Sequence, residues 1–403
     1  MMDLTQAKLE DFRERLNLCL NCAACFYRGP IVPHNWRELP PPEWRTPSKK
    51  CPSFEYYQFR SYTALGRLTL AALVWRKNFP ISDDLIKILY TCAGCNMCDE
   101  ICQTFLPLYS ILALREEVVE RGIALPEPLP EMIAGIEEFY NIFGRKTEAK
   151  TPEKLPAEGE DMYFAGCYAK YRLPKTASAT IRVLKAAGIN VASLGEKERC
   201  CGFLARWSGN RAQAEKSARY NVEAMKKAGA KRVILSCAHG YHMWKNDYPR
   251  YVGPLPFEVI HVTELLAKLI EERKIEFRHE INEKITYHDP CFLGRHGKVY
   301  EQPRKVLKSI PGLEVVEMER TGKWSYCCGA GAKVTLNCYP DFARAVAAER
   351  LRETKQAAET LVTACPVCFE HLRNTANKEA IGLKVRDLPT LAAEAMGLGS
   401  RYT

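Results

Sequence analysis

A chain of 403 residues is too long for one ordinary domain and fits two or three, and its composition, 47% apolar and 26% charged, is that of a soluble globular protein. The longest apolar run, residues 68–75 (LTLAALVW), is far too short to cross a bilayer, which argues against a direct membrane span. The net charge of +10 is spread along the whole chain without a lysine- or arginine-rich block or a recognition motif, which argues for a solvated surface and against nucleic-acid binding.

The opening stretch, MMDLTQAKLEDFRERL, is charged and helical in period rather than a basic cap followed by an apolar segment, so a cytoplasmic location is expected. Eighteen cysteines, most in tight clusters, then point to metal rather than to disulfides. The eight histidines are too scattered to share that duty widely.

Residues 1–150 carry two cysteine clusters within helical patterns. Cys19, Cys22 and Cys25 follow C-x2-C-x2-C, with Cys51 farther on and Pro52 behind it; Cys92, Cys95, Cys98 and Cys102 follow C-x2-C-x2-C-x3-C. Three thiolates at every third residue wrap one corner of an inorganic cube, and a fourth from farther along closes the site. In two-cluster ferredoxins that fourth cysteine serves the other cluster. On that logic one [4Fe-4S] cluster takes Cys19, Cys22, Cys25 and Cys102, and the other takes Cys92, Cys95, Cys98 and Cys51. Zinc, which prefers separated C-x2-C pairs, is the alternative, and a triple repeat is awkward for it. Two departures from the ferredoxin pattern remove no ligand. Gln103 rather than proline follows Cys102, and a proline-rich insertion at 28–50 carries Trp36 and Trp44, which either pack or dock a partner.

A stretch rich in Pro, Lys and Glu, residues 144–161, reads as the domain boundary. Beyond it short apolar strands alternate with amphipathic helices. Residues 161–167 read as a strand, 175–188 as a helix ending in glycine and 189–195 as a returning strand, which implies a parallel sheet with crossover helices. The order recurs in 284–291, 302–312 and 313–318. RCCGFLARW then answers to YCCGAGAKV, a long helix follows in each copy, and KRVILSCAHG answers to ETLVTACPVC. Cys167, Cys200 and Cys237 thus match Cys291, Cys327 and Cys365 at near-constant separation, the mark of an internal duplication. The expected architecture is an α+β multidomain protein: a helical two-cluster ferredoxin domain (1–150), then two duplicated α/β halves (157–278 and 281–403) in a pseudo-twofold arrangement.

The second half offers Cys291, the adjacent Cys327 and Cys328 followed by Gly329, and Cys365 with Cys368. Neighbouring thiols in a strand face opposite ways, so both meet one centre only if the backbone turns sharply, and glycine permits that turn. Five thiolates would then converge at the C-terminal ends of the strands, where open α/β sheets build their sites. Five is one more than zinc or a [4Fe-4S] cube requires, so either one thiol is spare or the cluster is unusual. The first half keeps Cys167, Cys200, Cys201 and Cys237, but Gly240 stands where a counterpart of Cys368 would be. Four thiolates suit a conventional iron–sulfur cluster, a zinc, or nothing, with His239 and His242 near enough to substitute as ligands. Cys338 matches no motif position and reads as a small apolar residue.

This tandem cysteine pattern behind a two-cluster ferredoxin segment, with HDPCFLGR at 288–295 and YCCGAG at 326–331, resembles the heterodisulfide reductase family, in the form of its D-type subunit or of a fusion of its C-type and B-type subunits. In its CCG domains a complete five-cysteine motif binds a noncubane [4Fe-4S] cluster, which the resemblance places on Cys291, Cys327, Cys328, Cys365 and Cys368. Disulfide cleavage in that family uses two such sites, and this chain has one intact motif. The resemblance therefore implies an electron-transfer subunit of a larger anaerobic oxidoreductase with flavin- or iron–sulfur-containing partners. Heterodisulfide-reductase-like subunits of class II benzoyl-CoA reductases and other electron-bifurcating complexes are of this kind. The alternatives are an enzyme acting directly on a disulfide or on lactate, and a zinc-stabilised scaffold. The flanking His288, Asp289, Arg295 and His296 either tune the site, contact a substrate, or form a solvated loop. No G-x-G-x-x-G occurs, so flavin or nicotinamide, if used, belongs to partners.

Overall fold

The computed structural model describes residues 50–102, 107–144 and 153–399. Its first unit contains helices α1 (Pro52–Tyr57), α2 (Ala64–Lys77), α3 (Asp83–Tyr90), α4 (Met97–Ile101), α5 (Pro107–Glu120) and α6 (Leu129–Phe139), and no strand among the described residues. Local chemistry sets the starts of these helices. The Thr63 hydroxyl accepts the Gly66 amide of α2 at 3.0 Å, and the Ser82 hydroxyl accepts the Leu85 amide of α3, with Asp83 and Asp84 in the first turn beside the positive end of the dipole. In α3 the apolar residues Leu85, Ile86, Leu89 and Tyr90 recur at helical spacing and are all buried.

The first α/β half runs β1 (Asp161–Phe164), α7 (Pro174–Ala186), β2 (Val191–Ala192), α8 (Phe203–Ser208), α9 (Arg211–Lys227), β3 (Arg232–Leu235), α10 (Ala238–His242), α11 (Tyr248–Val252), β4 (Glu258–His261) and α12 (Val262–Glu271). The second runs β5 (Glu283–His288), α13 (Glu301–Lys308), β6 (Leu313–Val315), α14 (Val334–Cys338), α15 (Pro340–Ala357), β7 (Thr360–Thr363), α16 (Pro366–Lys378), β8 (Lys384–Asp387) and α17 (Leu388–Ala395). Each half is a four-stranded, all-parallel sheet, ordered β2-β1-β3-β4 and β6-β5-β7-β8. Central strands read as nearly unbroken apolar runs because helices cover both faces of a parallel sheet, and β7 is buried at every position. The last strands, β4 and β8, stand outside the strand–helix–strand pattern legible in the sequence. Each is only four residues long and runs straight into a helix.

The halves pack by exchange. Helix α17 of the second lies on α7 of the first, and α12 of the first lies on α13 of the second, so the last helix of each half covers the first helix of the other, the packing expected of a pseudo-twofold. The helical unit docks on the first half through buried polar groups. The Tyr90 hydroxyl donates to Ser208 O at 2.8 Å, and Arg115 donates to Trp207 O at 2.6 Å and to Leu89 O and Cys92 O at 2.9 Å. Arg206, also buried, pairs with Glu116 of α5 and with Asp247, which balances charges that would be costly alone. Apolar residues of all three parts join one continuous core, so the domain boundary near residue 150 separates chain segments rather than independent bodies.

Candidate functional site

The sheet order reverses between β1 and β3 and between β5 and β7, and in open α/β sheets the crevice at such a reversal collects ligands at the carboxyl ends of the strands. Cys167 follows β1 and Cys237 follows β3; Cys291 follows β5 and Cys365 follows β7. The duplicated cysteines therefore stand where the topology opens a site.

In the second half all five cysteines are buried and connected. The Cys368 thiol donates to Cys328 with the sulfurs 3.3 Å apart, and Cys327 interacts with both Cys291 and Cys328. Cys368 in turn meets Cys365. Hydrogen bonds from Cys327 and Cys368 hold the Cys328 thiol well below its ordinary value. Burial raises Cys365, but bonds from Cys237 and Cys368 outweigh it and leave that thiol well below its ordinary value too. Gly329 makes the CC turn at φ +89, where a Cβ would sit 2.3 Å from Ala343 O; its amide donates to Cys327 Sγ at 3.4 Å. Hydrogen bonding and burial instead push the Cys291 and Cys368 thiols well above the ordinary value. Five buried thiols at one locus, with Cys328 and Cys365 readily made thiolate, fit a multi-iron cluster better than a single tetrahedral ion.

The first half is arranged differently. Cys200 hydrogen-bonds with Cys167 and Cys201, whereas Cys237 turns across the interface to Cys365. Gly240 supplies no fifth thiol, and a Cβ built there meets Leu235 Cδ2 at 3.1 Å, close enough that the leucine would have to give by a few tenths of an ångström. Lys333, from the loop after the CC pair of the other half, is buried beside Cys167, Cys201 and Cys237, with its ammonium 4.6 Å from the Tyr168 ring centre. The bond from Cys200 and this cation, opposed by burial, bring Cys167 down to about 7. Both Ala332 (φ 58) and Lys333 (φ 70) are left-handed, a strained pair of non-glycine residues that aims the lysine across the interface. No sequence motif marks this lysine. Of the two histidines weighed as substitute ligands, His242 is engaged on both nitrogens, by Asn246 at 2.9 Å and Asp247 at 3.3 Å, so it is not free to ligate. His239 stacks on Phe203 at 4.1 Å.

In the helical unit Cys51, Cys92, Cys95 and Cys98 line one cavity, bringing together the four residues assigned to the second N-terminal cluster. Cys102 is half-buried at the end of α4; Cys19, Cys22 and Cys25, with Gln103, Trp36 and Trp44, lie outside the described residues. Cys95 also packs against the small apolar cluster that contains Cys327, and the two thiols interact, so the N-terminal ligand set touches that of the second half. Cys338 stands apart from these sets, its thiol against Pro126 O at 3.8 Å.

The CCG cysteine-rich domain model matches residues 162–244 and 285–373. Over 323 residues the chain is 38% identical to the D-type subunit of the dihydromethanophenazine:CoB--CoM heterodisulfide reductase of Methanosarcina barkeri, covering 77% of this chain and 79% of that one. The chain belongs to the family of heterodisulfide reductase D-type subunits. It is also 32% identical over 305 residues to the EtfAB:quinone oxidoreductase of Syntrophomonas wolfei, of which the match spans 42%. Among solved structures, a hypothetical protein from Helicobacter pylori superposes with a TM-score of 0.57 at 13% identity, over 84% of this chain and 69% of that one, a likeness of fold alone.

In this heterodisulfide-reductase-like chain the segment at 288–296 is not a solvated loop, since His288, Asp289 and Arg295 are all buried. Asp289 takes a two-pronged bond from Arg304 at 2.7 and 2.9 Å and the Gly322 amide at 2.9 Å. Arg295 donates to Cys95 O and to Ser325 O at 2.6 Å, and His296 Nε2 lies 2.9 Å from Gly94 O, so both clamp the helical unit onto the second half. Burial and the nearby Arg350 guanidinium bring His288 down to about 3, which keeps it neutral.

Asp387, at the end of β8, is buried, and burial pushes its carboxyl from 3.8 up to about 7. A folded-state value above the unfolded one means that folding takes up a proton between these limits. Stability therefore falls as pH rises from about 4 to about 7 and is level above. Asp387→Asn, which removes the charge and keeps the shape, is expected to be more stable than wild type at pH 8 by on the order of a few kcal/mol, the gap closing towards pH 4. Anaerobic denaturant melts across that range check the trend; a gap that widens on acidification would contradict it.

Proposed function

We propose that the chain is an iron–sulfur electron-transfer subunit of a multisubunit anaerobic oxidoreductase. Cys19, Cys22, Cys25 and Cys102 would hold one cubane [4Fe-4S] cluster, Cys51, Cys92, Cys95 and Cys98 a second, and Cys291, Cys327, Cys328, Cys365 and Cys368 one noncubane [4Fe-4S] cluster. When bound, such clusters supply one-electron storage and transfer. The observation that carries the reading is the contact between Cys95 and Cys327, which puts a ligand of an N-terminal cluster against a ligand of the second-half site. Arg295 holds that junction from both sides, its guanidinium on Cys95 O and Ser325 O. The names of the relatives, one a heterodisulfide reductase component and one an EtfAB:quinone oxidoreductase, support membership of such an assembly.

The first half supports conduction rather than disulfide cleavage. With glycine at 240 and Cys237 turned to Cys365, it lacks the second five-thiolate site that family cleavage uses. The chain alone, fully reduced without oxygen and mixed with a low-molecular-weight thiol disulfide, is expected to stay reduced over many minutes, and to be reoxidised rapidly by its partner subunits or a one-electron dye. Visible absorbance reads both. Stoichiometric release of free thiol by the isolated chain would instead establish a disulfide reductase.

A further inference from the structure

His288 ends β5, its carbonyl held by the Thr363 hydroxyl at 3.2 Å from the neighbouring strand β7. One of its ring nitrogens lies within 4.8 Å of the sulfurs of Cys328 and Cys368, which lie as close to each other. Proximity alone allows two opposite roles, a nitrogen ligand to iron or a hydrogen-bond donor to sulfur. The tautomer separates them, and Arg350 sets the tautomer.

The Arg350 Nε–H group points at His288 Nδ1 at 3.2 Å. A guanidinium stays protonated in a protein and offers only donors, so Nδ1 must be the accepting, unprotonated nitrogen. The arginine cannot swing away to reverse this. It is wholly buried and anchored on Arg320 O at 2.9 Å, Glu353 Oε2 at 2.7 Å and Ser325 Oγ at 3.1 Å. A neutral imidazole with a bare Nδ1 carries its proton on Nε2. That atom is buried and has no hydrogen-bond partner among the described residues, a costly position unless something beside it accepts. With Nδ1 taken by Arg350, Nε2 is the nitrogen left to serve the two cysteines.

We propose that His288 is a fixed Nε2–H donor to the sulfur of the Cys328–Cys368 pair, and that Arg350, by locking the tautomer, bars it from ligating iron. The proposal rests on the assignment of a cluster to the five second-half cysteines. A donor to sulfur stabilises the more negative, reduced state more than the oxidised one, so His288 raises the reduction potential of that site. Arg350 acts through it and is a positioning residue. The pair would make the second-half site the better electron acceptor, the direction needed if electrons enter at the N-terminal clusters.

The test uses the full chain, purified without oxygen, with and without ¹⁵N-histidine, and reads the paramagnetic signal of the noncubane site in a redox titration. His288→Phe is expected to lower the midpoint so that the reduced-to-oxidised ratio at fixed poise drops about tenfold, which is about 59 mV for a one-electron couple. His288→Gln, which restores an N–H donor at similar reach, should recover at least half of that shift. Pulsed electron paramagnetic resonance of the labelled wild type should show a weak nitrogen coupling, that of a group hydrogen-bonded to a ligand. A strong coupling typical of an iron–nitrogen bond, or loss of the signal itself in His288→Gln, would make the histidine a ligand and overturn the proposal. An unchanged midpoint in His288→Phe overturns it as well. Absence of any noncubane signal from wild type would remove the cluster assignment itself, and the role of His288 with it.

Discussion

Cys368→Ala is expected to abolish the unusual paramagnetic signal of the second-half site while both cubane signals persist, in a protein whose wild type carries roughly twelve irons with matching acid-labile sulfide, about four per cluster. Cys368 occupies the first turn of α16, is buried, and lies 3.3 Å from Cys328, so the substitution removes the centre of the thiol chain that runs from Cys327 to Cys365. The change is small and apolar in a packed place, which keeps the fold and isolates the loss of one thiolate. The remaining four cysteines could still carry a cube, so the signal is the more decisive reading than the iron count. Survival of the unusual signal would refute the ligand assignment. Roughly sixteen irons in wild type would restore a second cluster to the first half, and zinc without sulfide would end the redox reading altogether.

The largest stability effect near the site is expected at Gly329. Any side chain there must adopt a left-handed backbone, which costs on the order of 1–3 kcal/mol. Its Cβ would also press to 2.3 Å from Ala343 O and 3.0 Å from Val346 Cβ, on the rigid backbone of α15. Gly322 provides the control. Its φ of +56 is also left-handed, but a Cβ there meets nothing within 4 Å. Gly322→Ala should therefore cost about 1 kcal/mol, near the low end of backbone strain, and Gly329→Ala several times that, with the Cys327–Cys328 turn displaced and the second-half signal lost. Denaturation midpoints for the two variants, measured side by side, separate conformational strain from steric overlap. Equal losses would show that the helix gives way to the added methyl.

Much of this arrangement is legible in the sequence. Cysteine spacing is a local property, and the triads, the CCG pairs and the missing partner at Gly240 are all visible in the printed chain. So is the duplication, because two copies of one strand–helix alternation keep the same order of turn glycines and apolar runs. The burial of residues 288–296 is not legible in the sequence, because their polarity suits water as well as a buried network. Only the docking of the helical unit, with Gly94 O and Cys95 O offered to His296 and Arg295, removes them from solvent.

By itself, then, the sequence determined which thiols exist, how they are grouped along the chain, and that one half has a glycine where the other has its fifth cysteine. Tertiary structure decided which groups meet. Cys95 reaches Cys327, Cys237 reaches Cys365, and Lys333 crosses from one half into the thiols of the other. Arg350 sets the tautomer of a histidine 62 positions away. The physical reason is range: spacing and propensity act within a turn or two of chain, whereas these contacts depend on how two parallel sheets and a helical unit pack around a shared interior.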